Sequence, residues 1–348
     1  MTAVTATGLD LILAVLILGA GLFAITVRDL FGAVVFFIVY GVFVAIAWLR
    51  LGAIDVALTE AALGAGLTGV LLIGAVSRLG RITETRRDGT KHEDPRESGR
   101  ATRFLTMIAA AGISGGLGWA FVTMPASDGL RGVVADNLMA SGVDNPVTAV
   151  LINFRGWDTL LESVVLLAAL VGLWSLARDA DWGGSPGPRQ HARPGGVMAT
   201  FGRFLPPFGL LLGIYLVWVG SSHPGGAFQG GTVLAAAWLL VMMAGLMPAP
   251  RVTSVGARAV LAAGPLVFLG IGIAGALAGT FLGLPTAMAK PLILIIEAAL
   301  TLSIAATLAL LVLGAPEPGA APVSAVPVDP ADNGPAPSAE TSGTEPAR

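Results

Sequence analysis

Leu30-Phe-Gly-Ala-Val-Val-Phe-Phe-Ile-Val-Tyr-Gly-Val-Phe-Val-Ala-Ile-Ala-Trp-Leu49 runs for twenty residues without a charge. At about 1.5 Å per residue, a helix of that length covers the ~30 Å hydrocarbon core of a bilayer. Working outward, comparable runs recur at residues 9–27, 54–76, 104–124, 159–177, 204–220, 232–247, 259–282 and 291–313. They are too long for strands and lack the apolar/polar alternation of a lipid-embedded barrel. The whole 348-residue chain agrees: it is 55% hydrophobic and only 12% charged, against about 25% charged in soluble domains. The expected fold class is all-α, a polytopic transmembrane helical protein of about nine spans.

A net charge of −2 gives no footing for nucleic acid. The absence of cysteine excludes disulfides and thiolate-held iron–sulfur or zinc sites built from this chain. His92, His191 and His223 lie in separate loops without metal-ligand spacing, so neither a metal site nor a cofactor is expected. Residues 1–10 lack the basic start of a signal peptide, so the first run is expected to remain as a span.

The basic residues set an orientation. Arg78, Arg81, Arg86, Arg87, Lys91, Arg96, Arg100 and Arg103 cluster after the third run, and Arg178, Arg189, Arg193 and Arg203 after the fifth. Arg251 and Arg258 follow the seventh. With nine spans these loops share one side with Arg28 and the C-terminus, and only Arg50, Arg131, Arg155 and Lys290 fall opposite. The protein is expected in the cell (inner) membrane, N-terminus outside and C-terminus cytoplasmic. Residues 125–157 read as a short surface helix followed by a turn, because Pro and Asx residues punctuate them. Charged, Gly- and Pro-rich segments at 81–103 and 179–203 read as linkers, and 315–348 as a disordered tail. They divide the chain into blocks 1–80, 104–178 and 204–314, of three, two and four spans.

Carboxylates inside apolar runs are the chemical signal. Asp55 and Glu60 fall in the third run, Asp158 and Glu162 open the fifth, and Glu297 lies in the ninth. An ionised side chain near the bilayer centre costs roughly 2.5–3.5 kcal/mol, so such residues face protein or water and mark ion routes. The other reading is a protonated or hydrogen-bonded carboxyl that glues helices. For Asp10, Asp55 and Asp158, near span ends, solvation or N-capping explains them as well. In the expected orientation Glu60, Glu162 and Glu297 share the outer half of the membrane, which suits a half-channel for protons or a hard cation such as Na⁺. Asp158 and Glu162, four apart, lie on one helix face. Glycines 64, 66 and 69 after Glu60 allow close packing and also a π-bulge, and Gly275, Gly279 and Gly283 have the small-xxx-small spacing of packed helices.

Between the sixth and seventh runs, Ser222-His-Pro-Gly-Gly-Ala-Phe-Gln-Gly-Gly-Thr232 demands unusual backbone angles in a short connection. It reads as a tight hairpin, or as a re-entrant turn lining a polar cavity with His223 and Gln229.

Three segments carry a family resemblance. Asp55-Val-Ala-Leu-Thr-Glu-Ala-Ala-Leu-Gly-Ala-Gly66 resembles the MbhD domain of membrane-bound hydrogenases, which also occurs in the C-terminal part of the large subunit of Mrp antiporters. Asn145-Pro-Val-Thr-Ala-Val-Leu-Ile-Asn-Phe-Arg-Gly-Trp-Asp-Thr-Leu-Leu-Glu162 is similar to the MbhE signature, with Asn153 and Trp157 where that family often has Asp and Phe. His223-Pro224-Gly225-Gly226-Ala227-Phe228-Gln229-Gly230-Gly231 resembles the MnhB/MrpB motif, with Ala227 for Gly. The resemblance implies a fused accessory subunit of a multi-subunit Na⁺ or K⁺/proton antiporter: an MbhD-like block (1–80), an MbhE-like block (104–178) and an MnhB-like block (204–314). It is expected not to be an enzyme. Implied partners are a large complex-I-like antiporter subunit, small Mrp-type subunits and membrane lipid, with Na⁺ or K⁺ and H⁺ as the transported ions. Glu60, Asp158 and Glu162 inherit an ion-passage role. The alternative is the membrane arm of an ion-pumping redox complex such as a membrane-bound hydrogenase.

Overall fold

The computed structural model describes residues 2–87, 99–125, 129–187 and 196–316. His92 and His191, the middle of each charged linker and residues 317–348 lie outside them. Among the described residues the chain is helical, with two isolated β-bridges, Pro186 and Gly187 against Pro316, and no strand.

The first block is a three-span unit. α1 (Thr2–Thr26) packs on α2 (Leu30–Arg50), which starts at an N-cap where Asp29 accepts from Gly32 N at 2.7 Å. α3 (Ile54–Thr59) continues through a π-helix, Glu60–Leu67, into α4 (Thr68–Arg87). The third expected span is thus one helix with a widened turn in its middle. The middle block opens on α5 (Arg100–Thr123). Residues 125–157 hold more helix than the sequence suggested. After α6 (Arg131–Ser141) and the left-handed Gly142 come α7 (Pro146–Thr148) and a second π-helix, Ala149–Phe154, before α8 (Gly156–Trp174). The Asx-Pro pair punctuates as expected, but it starts a helix: Asn145 is the N-cap and Pro146 the first residue.

The last block has α9 (Val197–Gly220), α10 (Ala227–Met243), α11 (Val255–Ala278) and α12 (Thr286–Leu313). Among the described residues eight helices are long and apolar enough to cross a membrane, and α10, at 17 residues, is a shorter apolar helix between two of them. α10 begins earlier than the expected 232, because Phe228, Gln229, Gly230 and Gly231 form its first turns. These glycines work as contact points: a Cβ on Gly230 would stand 2.8 Å from Gly213 O of α9, and one on Gly231 2.8 Å from Ile304 of α12. α11 ends earlier than expected, at Ala278. The following loop folds back, with Leu282 N donating to Gly272 O at 3.3 Å. Gly275 therefore abuts Gly283 within this fold-back, and the three spaced glycines do not form one helix stripe.

α12 is the central post. Ile293, Ile296, Leu300, Ile304, Ala309 and Leu310 are all fully buried or nearly so, between α10, α11 and α8. At its far end the Arg78 guanidinium of α4 donates to Leu313 O at 3.0 Å, a favourable charge at a helix C-terminus. Gly187 N donates there to Ala315 O and Val252 N to Gly184 O. Described residues of the 179–203 segment, read as a linker, thus hydrogen-bond to the loop before α11 and to the end of α12.

Candidate functional site: a polar cavity where three motifs meet

The α9–α10 turn is held from two sides. Asn145 of the middle block donates through Nδ2 to Gly220 O and to His223 O, both at 3.0 Å, while its Oδ1 accepts from Val147 N. Thr148 Oγ1 donates to Gly220 O at 2.6 Å, and the backbone amides of Asp144 and Asn145 donate to Ser221 O. From the first block, Asp55 Oδ1 accepts from Gly225 N at 2.9 Å. Gln229 Nε2 reaches back to Thr59 Oγ1 at 3.1 Å and Asp55 O at 3.3 Å. Segments 55–59, 145–148 and 220–229, remote in sequence, therefore close on one another through hydrogen bonds.

Two glycines make this closure possible. Gly225 and Gly226 have φ of 156° and 126°, a region that disfavours side chains. A Cβ on Gly226 would lie 3.1 Å from Glu297 Oε1 and 3.5 Å from Gln229 Oε1. The two oxygens therefore both approach the Gly226 backbone. Glu297 is eleven residues into α12, roughly 16 Å along the helix. The turn thus stops well short of the start of α12, and the space beside it is walled by protein.

That space is a cavity of about 160 Å³ lined by Glu162 and Thr159 of α8, Thr148, Thr59, Gln229 and Glu297, among others. Glu297 is 3% exposed, and its Oε2 is buried without a hydrogen-bond partner among the described residues. It also lies close enough to Asp55 for the two carboxylates to interact electrostatically. An unpartnered buried carboxylate costs several kcal/mol if charged. An arriving proton, water or cation relieves that cost, and the volume admits water (~30 Å³ each in the liquid).

The other carboxylates separate by position. Asp55, read as an ion-route residue or equally as a solvated or capping one, is buried, Ala53 is the N-cap, and the Asp55 carboxylate accepts from Gly225 N. Glu60 is half-buried and folds over Gly64 at the π-helix, outside the cavity lining. Asp158 is exposed and pairs with Arg155 at 2.6 Å, and Asp10 with Arg50 at 2.9 Å; neither enters the cavity. The loop is a tight hairpin, as the first reading had it, and Gln229 lines the cavity as the second did. His223 does not: it is exposed and contributes its backbone carbonyl. Pro224, Phe228, Gly230 and Gly231 position the turn and α10. Asn145, Thr148, Thr59 and Thr159 were not singled out as site residues; the Asx-Pro pair at 145–146 was read only as part of a turn.

The profile of the MbhD family, described as the D subunit of MBH, matches residues 15–81. That of the "domain related to MnhB subunit of Na+/H+ antiporter" matches 197–316. The segment expected to be MbhE-like lies between them. No curated protein matches the chain. Among solved structures, a chain in "Structure of Mrp complex from Dietzia sp. DQ12-45-1b" is similar at a TM-score of 0.67 and 25% identity. The similarity covers 89% of this chain and 35% of that one, so this chain spans about a third of the length of the solved chain. An MbhD-type domain and an MnhB-related domain thus stand in order on one polypeptide, whose fold is similar to that of part of a chain in the Mrp complex.

Proposed function

We propose that this multi-pass membrane subunit works inside a multi-subunit monovalent cation/proton antiporter, where its polar cavity forms part of the route for H⁺ and for Na⁺ or K⁺. The observation that carries the reading is Glu297: a carboxyl 3% exposed, with one oxygen unpartnered, facing a cavity shared with Glu162 and Gln229. A carboxylate suits the task because it binds a proton or offers oxygen ligands to a hard cation. The chain acts as a non-catalytic partner. The proton-translocating machinery with intramembrane lysine belongs to a large complex-I-like subunit, and small Mrp-type subunits complete the assembly. Glu60 serves the same route from the π-helix, and Asp158 at the α8 entrance.

Cation-dependent proton movement in vesicles carrying the assembled complex tests this. Glu162→Gln should cut exchange at least about tenfold, the loss of one positioned proton-transfer group being typically 10²–10⁴-fold, with the subunits still co-purifying. Unchanged exchange would overturn the route through this cavity and leave a scaffold. The isolated chain, reconstituted by itself, should show no exchange.

The MbhD match favours a second reading, the membrane arm of a hydrogen-evolving redox complex. Co-purification of nickel–iron hydrogenase subunits would establish it; co-purification of antiporter subunits only would exclude it.

A further inference from the structure

A second cavity, of about 430 Å³, opens on the side of the bundle where α9, α10 and α12 leave a cleft. It is lined by Ile214, Trp218, Leu234, Leu294, Ala298 and Leu302, among others. Among the lining side chains only Thr301 and the Trp218 indole carry a polar atom, and the Thr301 hydroxyl already donates to Glu297 O at 2.6 Å. The cleft therefore offers an occupant almost entirely apolar walls. All of these positions lie on membrane-crossing helices or on α10, so the cleft opens towards lipid and not towards water.

One charge stands at its mouth. Lys290 lies four residues before Leu294, one turn along the same face of α12. It is exposed and has no ion pair or hydrogen bond among the described residues. Trp218, 72% exposed, lies two residues before the end of α9 and forms part of the cleft wall. A cation one helical turn beyond a dry cleft, with an amphipathic indole on the cleft wall, matches a phospholipid: phosphate on the ammonium, acyl chain against Leu294, Ala298 and Leu302. A partner helix in the cleft would have to bring an acidic group of its own to Lys290.

We propose that this cleft is a binding site for an anionic phospholipid, whose headgroup pairs with Lys290 and whose acyl chain fills the groove between α9, α10 and α12.

The assembled complex is reconstituted with phosphatidylglycerol or phosphatidylcholine carrying a photoactivatable acyl chain, and labelled residues are mapped by mass spectrometry. Wild type should be labelled on α9 and α12 around Trp218 and Ala298, with phosphatidylglycerol ahead by roughly fivefold, the factor matching about 1 kcal/mol per basic residue near an anionic surface. Lys290→Ala should abolish that preference and Lys290→Arg retain it; both changes are on an exposed side chain and leave the core untouched. Ala298→Trp should lower labelling by both lipids. Equal labelling by the two lipids, or a preference that survives Lys290→Ala, would overturn the proposal. So would a photo-reactive residue at 298 that captures a neighbouring protein chain and no lipid.

Discussion

At the scale of single residues, Asn145 and Gly226 decide whether the cavity exists. Asn145 is 4% exposed and satisfies two carbonyls of a loop about 75 positions away, at Gly220 and His223. A buried carbonyl left without a donor costs about 1–3 kcal/mol. Gly220 O keeps the Thr148 hydroxyl and His223 is exposed, so Asn145→Ala should destabilise the protein by about 1–2 kcal/mol, read as a lower thermal midpoint of the purified complex; an unchanged midpoint would refute the clamp. Gly226→Ala places a methyl group 3.1 Å from Glu297 Oε1 on a backbone with φ of 126°. It should impair exchange even where the complex assembles, measured as the vesicle rate per assembled complex. The sequence showed the residue types here, carboxylates and a glycine-rich loop, because burial of charge in an apolar run is conspicuous. It did not show Asn145 as a clamp, since an Asn before a Pro announces only a local turn or helix start. Nor did it separate Glu297 from Glu60: both are lone acids in apolar helices, and only packing turns one into the cavity and the other over Gly64.

At the scale of elements, the informative departures are the two π-helices. The one at Glu60–Leu67 contains Gly64 and Gly66, the glycines at which the sequence allowed a π-bulge. The widened turn presses against α2, where a Cβ on Gly41 would stand 3.2 Å from Ala65 N. Gly41→Leu should overpack this contact and destabilise by about 1–3 kcal/mol, lowering the thermal midpoint. Gly74, whose Cβ would meet nothing within 4 Å, should accept the same change. The second π-helix, Ala149–Phe154, had no glycine to announce it. Its cue is tertiary: Thr159 Oγ1 of α8 donates to Leu151 O at 2.7 Å across the break at Arg155. The start of α10 was illegible for a related reason, since glycine pairs argue for a loop unless close neighbours, here Gly213 and Ile304, require bare backbone.

At the scale of the molecule, apolar length alone predicted the spans, and eight of them stand as long helices with α10 as a shorter ninth. What apolar length does not reveal is which spans the chain itself buries. α12 is mostly enclosed, whereas α5 is exposed along its whole apolar length. The chain has no cysteine, so single-cysteine labelling tests the expected orientation cleanly. Cysteine in place of the half-exposed Ser222 should react with an impermeant maleimide from outside the cell. Cysteine in place of Ala315, beyond the end of α12, should react only in inverted vesicles. The reverse pattern would turn the half-channel to the cytoplasm.

The central claim is that the cavity joining the three motifs carries ions, and Glu297 tests it most directly because its buried side-chain oxygen holds nothing in place. Cation-driven proton movement should be measured in vesicles with the assembled complex carrying Glu297→Gln, a change of nearly equal size that cannot ionise. The account predicts normal assembly and a loss of exchange of roughly tenfold or more, within the range for removal of a positioned proton-transfer group. Exchange at the wild-type rate would contradict it.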